Sequence, residues 1–441
     1  RVYTGFKQRQ LLRDFNVDVN NQAIYTQANW QALSNLNLVG GARYDWISYD
    51  FDNKLIPSKV TGAPDEKRNF HKASPQLGFV WNITPELDLY SNWSQGFVPP
   101  EVSSLYGANL VTPDLKEATF DNIDLGLRFK PATRFENACA SGAAAVYAAI
   151  DAIQSGRIEV ALVVGVEKMT HNDTAGVTRA LAGAGYQNHP DEAGVSFPAV
   201  FARAAQIYGE RHGDPMTAMA KIAAKNHSNA MLNPYAQLRK DLGFEFCSTV
   251  SEKNPLIEPS LRMSDCSLIS DGAAAMVLVA EHRAAEFAQR AHFAAAAHIS
   301  DLLPLQSRDW ASFVGPEKAI QAAYAQAGIG VNDLNFAEVH DCFTIAELLL
   351  YEAMGLADKG KGFEALDSGA VYRDGALPVN VSGGLKAKGH PVGATGVSMH
   401  VLAYRQLTGQ AGEMQLAAPK LGLVFNMGGA AVANYASILS V

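Results

Sequence analysis

Two hydrophobic periods divide this chain. In its first part Leu77, Phe79, Trp81 and Ile83 alternate with Gly78, Val80 and Asn82, and Ile123, Leu125, Leu127 and Phe129 alternate with Asp124, Gly126 and Arg128. A period of two gives each strand one apolar and one polar face. It predicts strands over Ile24–Leu33, Leu36–Phe51, Pro75–Ile83, Leu87–Gly96 and Phe120–Lys130, with turns at Ser34-Asn35 and Thr84-Pro85-Glu86. Beyond about residue 135 the pattern changes. Ser141–Gln154 is alanine-rich and reads as a buried helix, and Val160–Val166 is an apolar run typical of a parallel strand covered on both faces. Glu317–Ala327 reads as an amphipathic helix ended by Gly328. A strand at Phe336–Val339 and a helix at Thr344–Met354 follow, then strands at Leu421–Phe425 and Ala433–Leu439 around the turn Asn426-Met427-Gly428-Gly429. Residues 170–265, rich in Asn, His, Pro and Arg, read as an irregular insertion that covers a site. The expected architecture is α/β, with mostly parallel sheets layered with helices, behind an all-β segment of antiparallel hairpins.

Composition sharpens the division. Of 441 residues, 48% are hydrophobic and 18% charged, as in a folded chain with a large core. Eighteen of the 40 aromatics and four of the five tryptophans (Trp30, Trp46, Trp81, Trp93) precede residue 135. That stretch has no net charge, whereas the remainder carries the whole −8 and all four cysteines. The step falls near Phe129–Arg134, and the division expected is 1–130, 131–290 and 291–441. The acidic balance argues against a nucleic-acid partner. The cysteines are too scattered for a disulfide framework, and no run of 18 apolar residues predicts a membrane helix. The opening RVYTGFKQ has no methionine, basic region or apolar region, and reads as neither a signal peptide nor a natural start.

Four short motifs could carry chemistry. Glu136-Asn137-Ala138-Cys139-Ala140-Ser141-Gly142 sets Cys139 at a helix start, where small neighbours admit a substrate and the helix N-terminus favours a thiolate. The alternative is a buried packing cysteine. Lys388-Gly389-His390-Pro391-Val392-Gly393-Ala394-Thr395-Gly396 aims His390 from a glycine turn as a base; a passive loop histidine and a phosphate cradle are the alternatives, the latter without the Walker ending. His340-Asp341-Cys342-Phe343 lies at a strand-to-helix switch and suits acid–base work, with a structural zinc as the weaker reading. The turn ending in Gly428 and Gly429 could offer backbone N–H groups to an oxyanion. Cys247 and Cys266 read as packing residues.

The wording of residues 71–100 and of Leu125-Gly126-Leu127-Arg128 resembles the barrel of TonB-dependent outer-membrane receptors over roughly residues 20–130. Residues 131–441 resemble the thiolase superfamily, most nearly its sterol-carrier-protein type, at Cys139, at His390 through Gly396, at His340 through Phe343, and at Asp271-Gly272-Ala273-Ala274-Ala275. The resemblance implies a thiolase fold whose N-terminal half is truncated, in an apparent chimera. It implies acyl transfer between acyl-CoA and coenzyme A as substrates, with no permanently bound cofactor and no metal. Cys139 would be the nucleophile and His390 its base, with the N–H groups of Cys139 and Gly428 around the oxyanion. His340 and His390 would hold an enolate oxygen, and Cys342 would act as acid and base. Ser267 and Phe343 would contact coenzyme A. Many thiolases carry a second catalytic cysteine where Asn426 stands here. A homodimer, a cytoplasmic location for this part and no membrane insertion are implied as well. The competing readings are a decarboxylating condensing enzyme, a non-catalytic acyl-CoA binder and a fusion without function. With barrel-like sequence in place of the elements before Cys139, the sheet beside Cys139 is expected to be incomplete.

Overall fold

The computed structural model describes residues 14–57, 63–84, 87–100, 105–106, 118–128, 130–189 and 191–441. The opening residues, the expected turn at Pro85-Glu86 and Phe129 lie outside the described residues. The chain divides into two compact units, Arg1–Thr133 and Arg134–Val441.

The first unit is one antiparallel sheet in sequence order: β1 (Phe15–Leu33), β2 (Leu36–Asn53), β3 (Glu66–Thr84), β4 (Leu87–Val98) and β5 (Ala118–Arg128). β1 and β3 each run 19 residues, well beyond the expected Ile24–Leu33 and Pro75–Ile83, whereas β2 extends its expected span by only two residues. The residues before Ile24, with Val17 and Val19 on the face opposite Ile24, extend the strand by pairing with the far end of β2. Ile47, Tyr49, Phe51, Phe70 and Tyr106 form a small core at one end, with Phe51 stacked on Tyr106 at 4.2 Å. Elsewhere large side chains face outward, with Tyr25 77% and Trp30 65% exposed.

The second unit is layered α/β. Its main sheet has the order β10 (His292–Ser300), β13 (Ala433–Ser440), β12 (Leu421–Gly428), β11 (Phe336–Val339). Helices Val314–Ala327, Thr344–Ala353 and Val392–Leu407 belong to this half, and β11 is buried along its whole length. Only β11–β12 is parallel; β12–β13 and β10–β13 are antiparallel. The sheet is therefore mixed, where mostly parallel pairing was expected. β12 runs on to Gly428, so four residues remain to reach β13, and so short a link forces a hairpin.

The expected run Val160–Val166 becomes β6 (Val160–Glu167), paired antiparallel with β9 (Gly272–Val279) in a sheet of two. It is not covered on both faces, since Val160, Leu162 and Val166 are all more than 40% exposed. The incomplete sheet anticipated beside Cys139 is present. Residues 170–265 are mainly helical, at Thr174–Ala182, Phe197–His212, Met216–Ala230 and Gly243–Ser248, with one hairpin of β7 (Leu256–Glu258) and β8 (Leu261–Arg262). The polar letters misled because Lys225, Asn226 and Asn229 form a buried polar face, bonded across the fold to Asp341, Glu347 and Asn380.

Candidate active site

Two helices cross with their backbones in contact near their N-terminal ends and place the reacting groups. Helix Ser141–Gln154 begins just after Cys139, and helix Val392–Leu407 just after His390. At their contact a Cβ on Gly142 would lie 2.8 Å from the Val397 nitrogen and 3.1 Å from that of Gly396. The motif glycines serve this close helix crossing, rather than a phosphate.

Cys139 sits on a tight loop. Ala138 is left-handed with φ 49°, a strained state for a residue with a side chain. Ser141 holds it, accepting from the Asn137 N–H at 2.8 Å and donating to the Ala138 carbonyl at 2.7 Å. Cys139 is half-buried, and burial pushes its thiol up to about 12, with Glu136 and Glu167 adding to the rise. Loss of solvent outweighs the helix N-terminus, which by itself favours the thiolate. The thiol needs a base at the moment it reacts.

His390 can be that base. Its Nδ1 lies 2.8 Å from the Thr395 hydroxyl, which itself donates to the Pro391 carbonyl at 3.0 Å. With the hydroxyl proton on that carbonyl, Nδ1–H donates and Nε2 keeps a lone pair. That buried Nε2 has no partner. The backbone N–H of His390 donates to Ser270 at 2.7 Å, fixing the turn. Burial, with Lys388 nearby, lowers His390 to about 3, and burial with His390 and Lys388 holds His340 well below the usual range. Both rings are neutral at pH 7.

Cys139, His340 and His390 bring one sulfur and two ring nitrogens within 4.8 Å of one another, and the two rings meet edge to face at 5.0 Å. Such a donor set suits zinc. However, a zinc-bound imidazole donates from its other nitrogen, and Nδ1 of His340 instead meets the donor Nδ2 of Asn426 at 2.9 Å. The arrangement fits proton transfer better than metal binding.

Cys342 joins these groups at a cavity of about 300 Å³, also lined by Ser267, Phe343 and Met427. Its thiol is pushed well above 9 by burial and by Cys139 beside it. Ser267 donates its backbone N–H to the Cys342 carbonyl at 2.9 Å, and Phe343 stacks on Phe201 at 4.6 Å. Gly428 lines a neighbouring cavity of about 490 Å³ that Cys139 also reaches. A side chain on Gly428 would strike the Asn137 carbonyl and lie 3.0 Å from the Ala140 Cβ, so this strand end packs directly under the nucleophile loop.

Asp341 does not face the cavity, although it stands between His340 and Cys342. It accepts from the backbone of Leu385 at 2.6 Å and Lys386 at 3.2 Å, and from Asn226 at 2.8 Å. Burial, with Glu347 nearby, raises it to about 7. Sequence reasoning overlooked this anchor, and it overlooked Thr395 and the side chain of Asn426. Only for Thr395 was there a signal, five residues after a base candidate on the same turn.

This fold and site define a layered α/β protein with a buried cysteine–histidine cluster, and the comparisons give its family. Residues 98–245 match the family Thiolase, N-terminal domain, and 296–441 match Thiolase C-terminal domain-like. Residues 2–148 match TonB dependent receptor-like, beta-barrel. An acetyl-CoA acetyltransferase of Methanothermobacter thermautotrophicus is 37% identical over 308 residues, covering 69% of this chain and 78% of the relative. That of Methanocaldococcus jannaschii is 38% identical, covering 64% and 72%. Human sterol carrier protein 2 is 32% identical, covering 69% of this chain and 57% of that protein. Among solved structures, an Ltp2-ChsH2(DUF35) aldolase superposes with a TM-score of 0.56 at 23% identity, covering 69% and 78%. A monomeric SCP2-thiolase like protein type 1 from Mycobacterium smegmatis gives 0.55 at 19%, covering 69% and 61%. These two show the fold alone. The chain belongs to the thiolase family, and joins that part to a segment similar to a TonB-dependent receptor barrel. No helix among the described residues is long and apolar enough to cross a membrane.

Proposed function

We propose that this chain is an acyl-CoA C-acyltransferase, which cleaves a 3-oxoacyl-CoA with coenzyme A, or runs the reverse condensation, through an acyl group on Cys139. The carrying observation is that neutral His390, whose Nε2 has no partner, clusters with the Cys139 sulfur. His390 takes the thiol proton as the sulfur adds to the 3-keto carbon, and the N–H groups of Cys139 and Gly428 receive the oxyanion. The C2–C3 bond then breaks, and its electron pair passes to the thioester enolate of acetyl-CoA. His340, and His390 once protonated, hold the enolate oxygen; a lost donor in such a hole costs roughly 3–4 kcal/mol. Cys342 gives its proton to C2. The resulting thiolate takes the proton of the incoming coenzyme A, whose sulfur attacks the acyl group and frees Cys139. Ser267 and Phe343 contact the coenzyme A arm.

Incubation of the full chain with acetoacetyl-CoA, acid quenching and peptide mass spectrometry should find the acetyl thioester on Cys139. An acetyl group on Cys342 instead would overturn the assignment. A second reading, a fusion without function, is favoured by the isolated β6–β9 sheet. It would be selected by the absence of both acetyl-CoA release and acylation.

A further inference from the structure

One side chain touches both halves of the reacting cluster. Asn426 lies near the end of β12, fully buried, opposite Tyr435 of β13. Its Nδ2 donates to the Cys139 carbonyl at 3.2 Å and to Nδ1 of His340 at 2.9 Å. The Cys139 carbonyl fixes the orientation of the amide, because a carbonyl can only accept. Turning the amide over would set two oxygens 3.2 Å apart, a worse arrangement than the present one, in which only the buried Oδ1 lacks a partner. With Nδ2 facing His340, Nδ1 of that ring must accept, and the single proton of the neutral ring sits on Nε2. The two histidines therefore hold opposite tautomers: Nε2 of His390 bears a lone pair, and Nε2 of His340 bears a proton.

We propose that Asn426 is a positioning residue for the carbon–carbon step: by occupying Nδ1 of His340 from the Cys139 loop, it keeps a hydrogen-bond donor at Nε2, aimed at the enolate oxygen. This rests on the thiolase reading for its consequence, though not for its geometry. The burial of His340 supports it, since a ring held neutral has one proton to place. The same amide ties the carbonyl of the nucleophile to the histidine, so the donor and the sulfur keep a common frame.

The tautomers can be read without turnover. Nitrogen-15 NMR of the full chain labelled at histidine, assigned with His340→Gln and His390→Gln, should show His340 protonated at Nε2 and His390 at Nδ1. A proton on Nδ1 of His340 in the unaltered protein would overturn the proposal, whatever the activity. Asn426→Asp keeps the shape and can only accept when ionised, so the His340 proton should move to Nδ1. Acetylation of Cys139 by acetyl-CoA should fall too, since the new oxygen faces the Cys139 carbonyl at 3.2 Å, and cleavage of acetoacetyl-CoA should fall about 100-fold further, the scale of one lost donor. Equal losses in both reactions, or unchanged cleavage, would refute the positioning role. If the unaltered chain neither acylates nor cleaves, the thiolase reading fails, and the NMR result alone decides the arrangement at Asn426.

Discussion

Replacing Gly396 by alanine tests whether the helix crossing places the chemistry. A Cβ there would overlap the Ala143 nitrogen and lie 2.7 Å from Asn426 Oδ1 and 2.9 Å from the Gly142 carbonyl carbon. Carbon contacts become favourable near ~3.5 Å, so the helices carrying Cys139 and His390 must part by about 1 Å. Overpacking of this kind costs about 1–3 kcal/mol, partly offset by the gain of up to ~1 kcal/mol for alanine over glycine in a helix. At about 2–4 °C per kcal/mol for a unit of this size, Tm should fall by about 4 °C. A displacement of ~1 Å between nucleophile and base costs about 100-fold in rate, so turnover should fall far more than stability. Gly209→Ala supplies the comparison: in helix Phe197–His212 its Cβ would meet only Pro215 Cδ, at 3.5 Å. That change should raise Tm and leave turnover alone. The assays are thermal melting and acetyl-CoA release from acetoacetyl-CoA. Wild-type Tm and turnover in Gly396→Ala would show that the crossing does not set the geometry.

Cys342→Ala should still acylate at Cys139 but lose turnover about 100-fold, the usual scale of a general acid or base; unchanged turnover removes Cys342 from proton transfer. Stability should fall as pH drops from about 6.5 to 4. His227 and His390, at about 3, and His400, at about 4, stay neutral when folded and take up protons on unfolding. Asp341, raised to about 7, and Glu338, raised by its burial, bind protons in the folded state and work in the opposite sense, two groups against five histidines, since burial lowers His298 and His340 as well. Melting curves at pH 7.5, 6 and 5 check this, and a Tm that holds or rises on acidification contradicts it. Leu162 and Val277 face each other across β6–β9, 47% and 53% exposed. Leu162→Thr with Val277→Thr should slow aggregation, read by light scattering, with turnover preserved, since threonine keeps the strand preference; an unaltered aggregation rate counts against this face as its source.

Much of the fold was legible along the chain because burial leaves a period. Helix Ser141–Gln154 and strand Phe336–Val339 have the bounds their apolar patterns predict, and Gly328 ends its helix in the left-handed region with φ 67°. The family was legible too, since Cys139, His340, Cys342 and His390 stand in short motifs whose order is specific. What the chain could not show depends on neighbours remote in sequence. Val160–Val166 has the letters of a covered strand, yet whether anything covers it depends on elements that the described residues do not place there. The polar letters of Lys225, Asn226 and Asn229 imply a loop until Asp341, Glu347 and Asn380 satisfy them inside the core. A helix start favours a thiolate at Cys139, but its protonation follows from how much water the fold removes. The tautomers of His340 and His390 are set by Asn426 and Thr395. A ring's proton goes where a partner's lone pair or hydrogen leaves room for it, and only folding brings those partners within 3 Å.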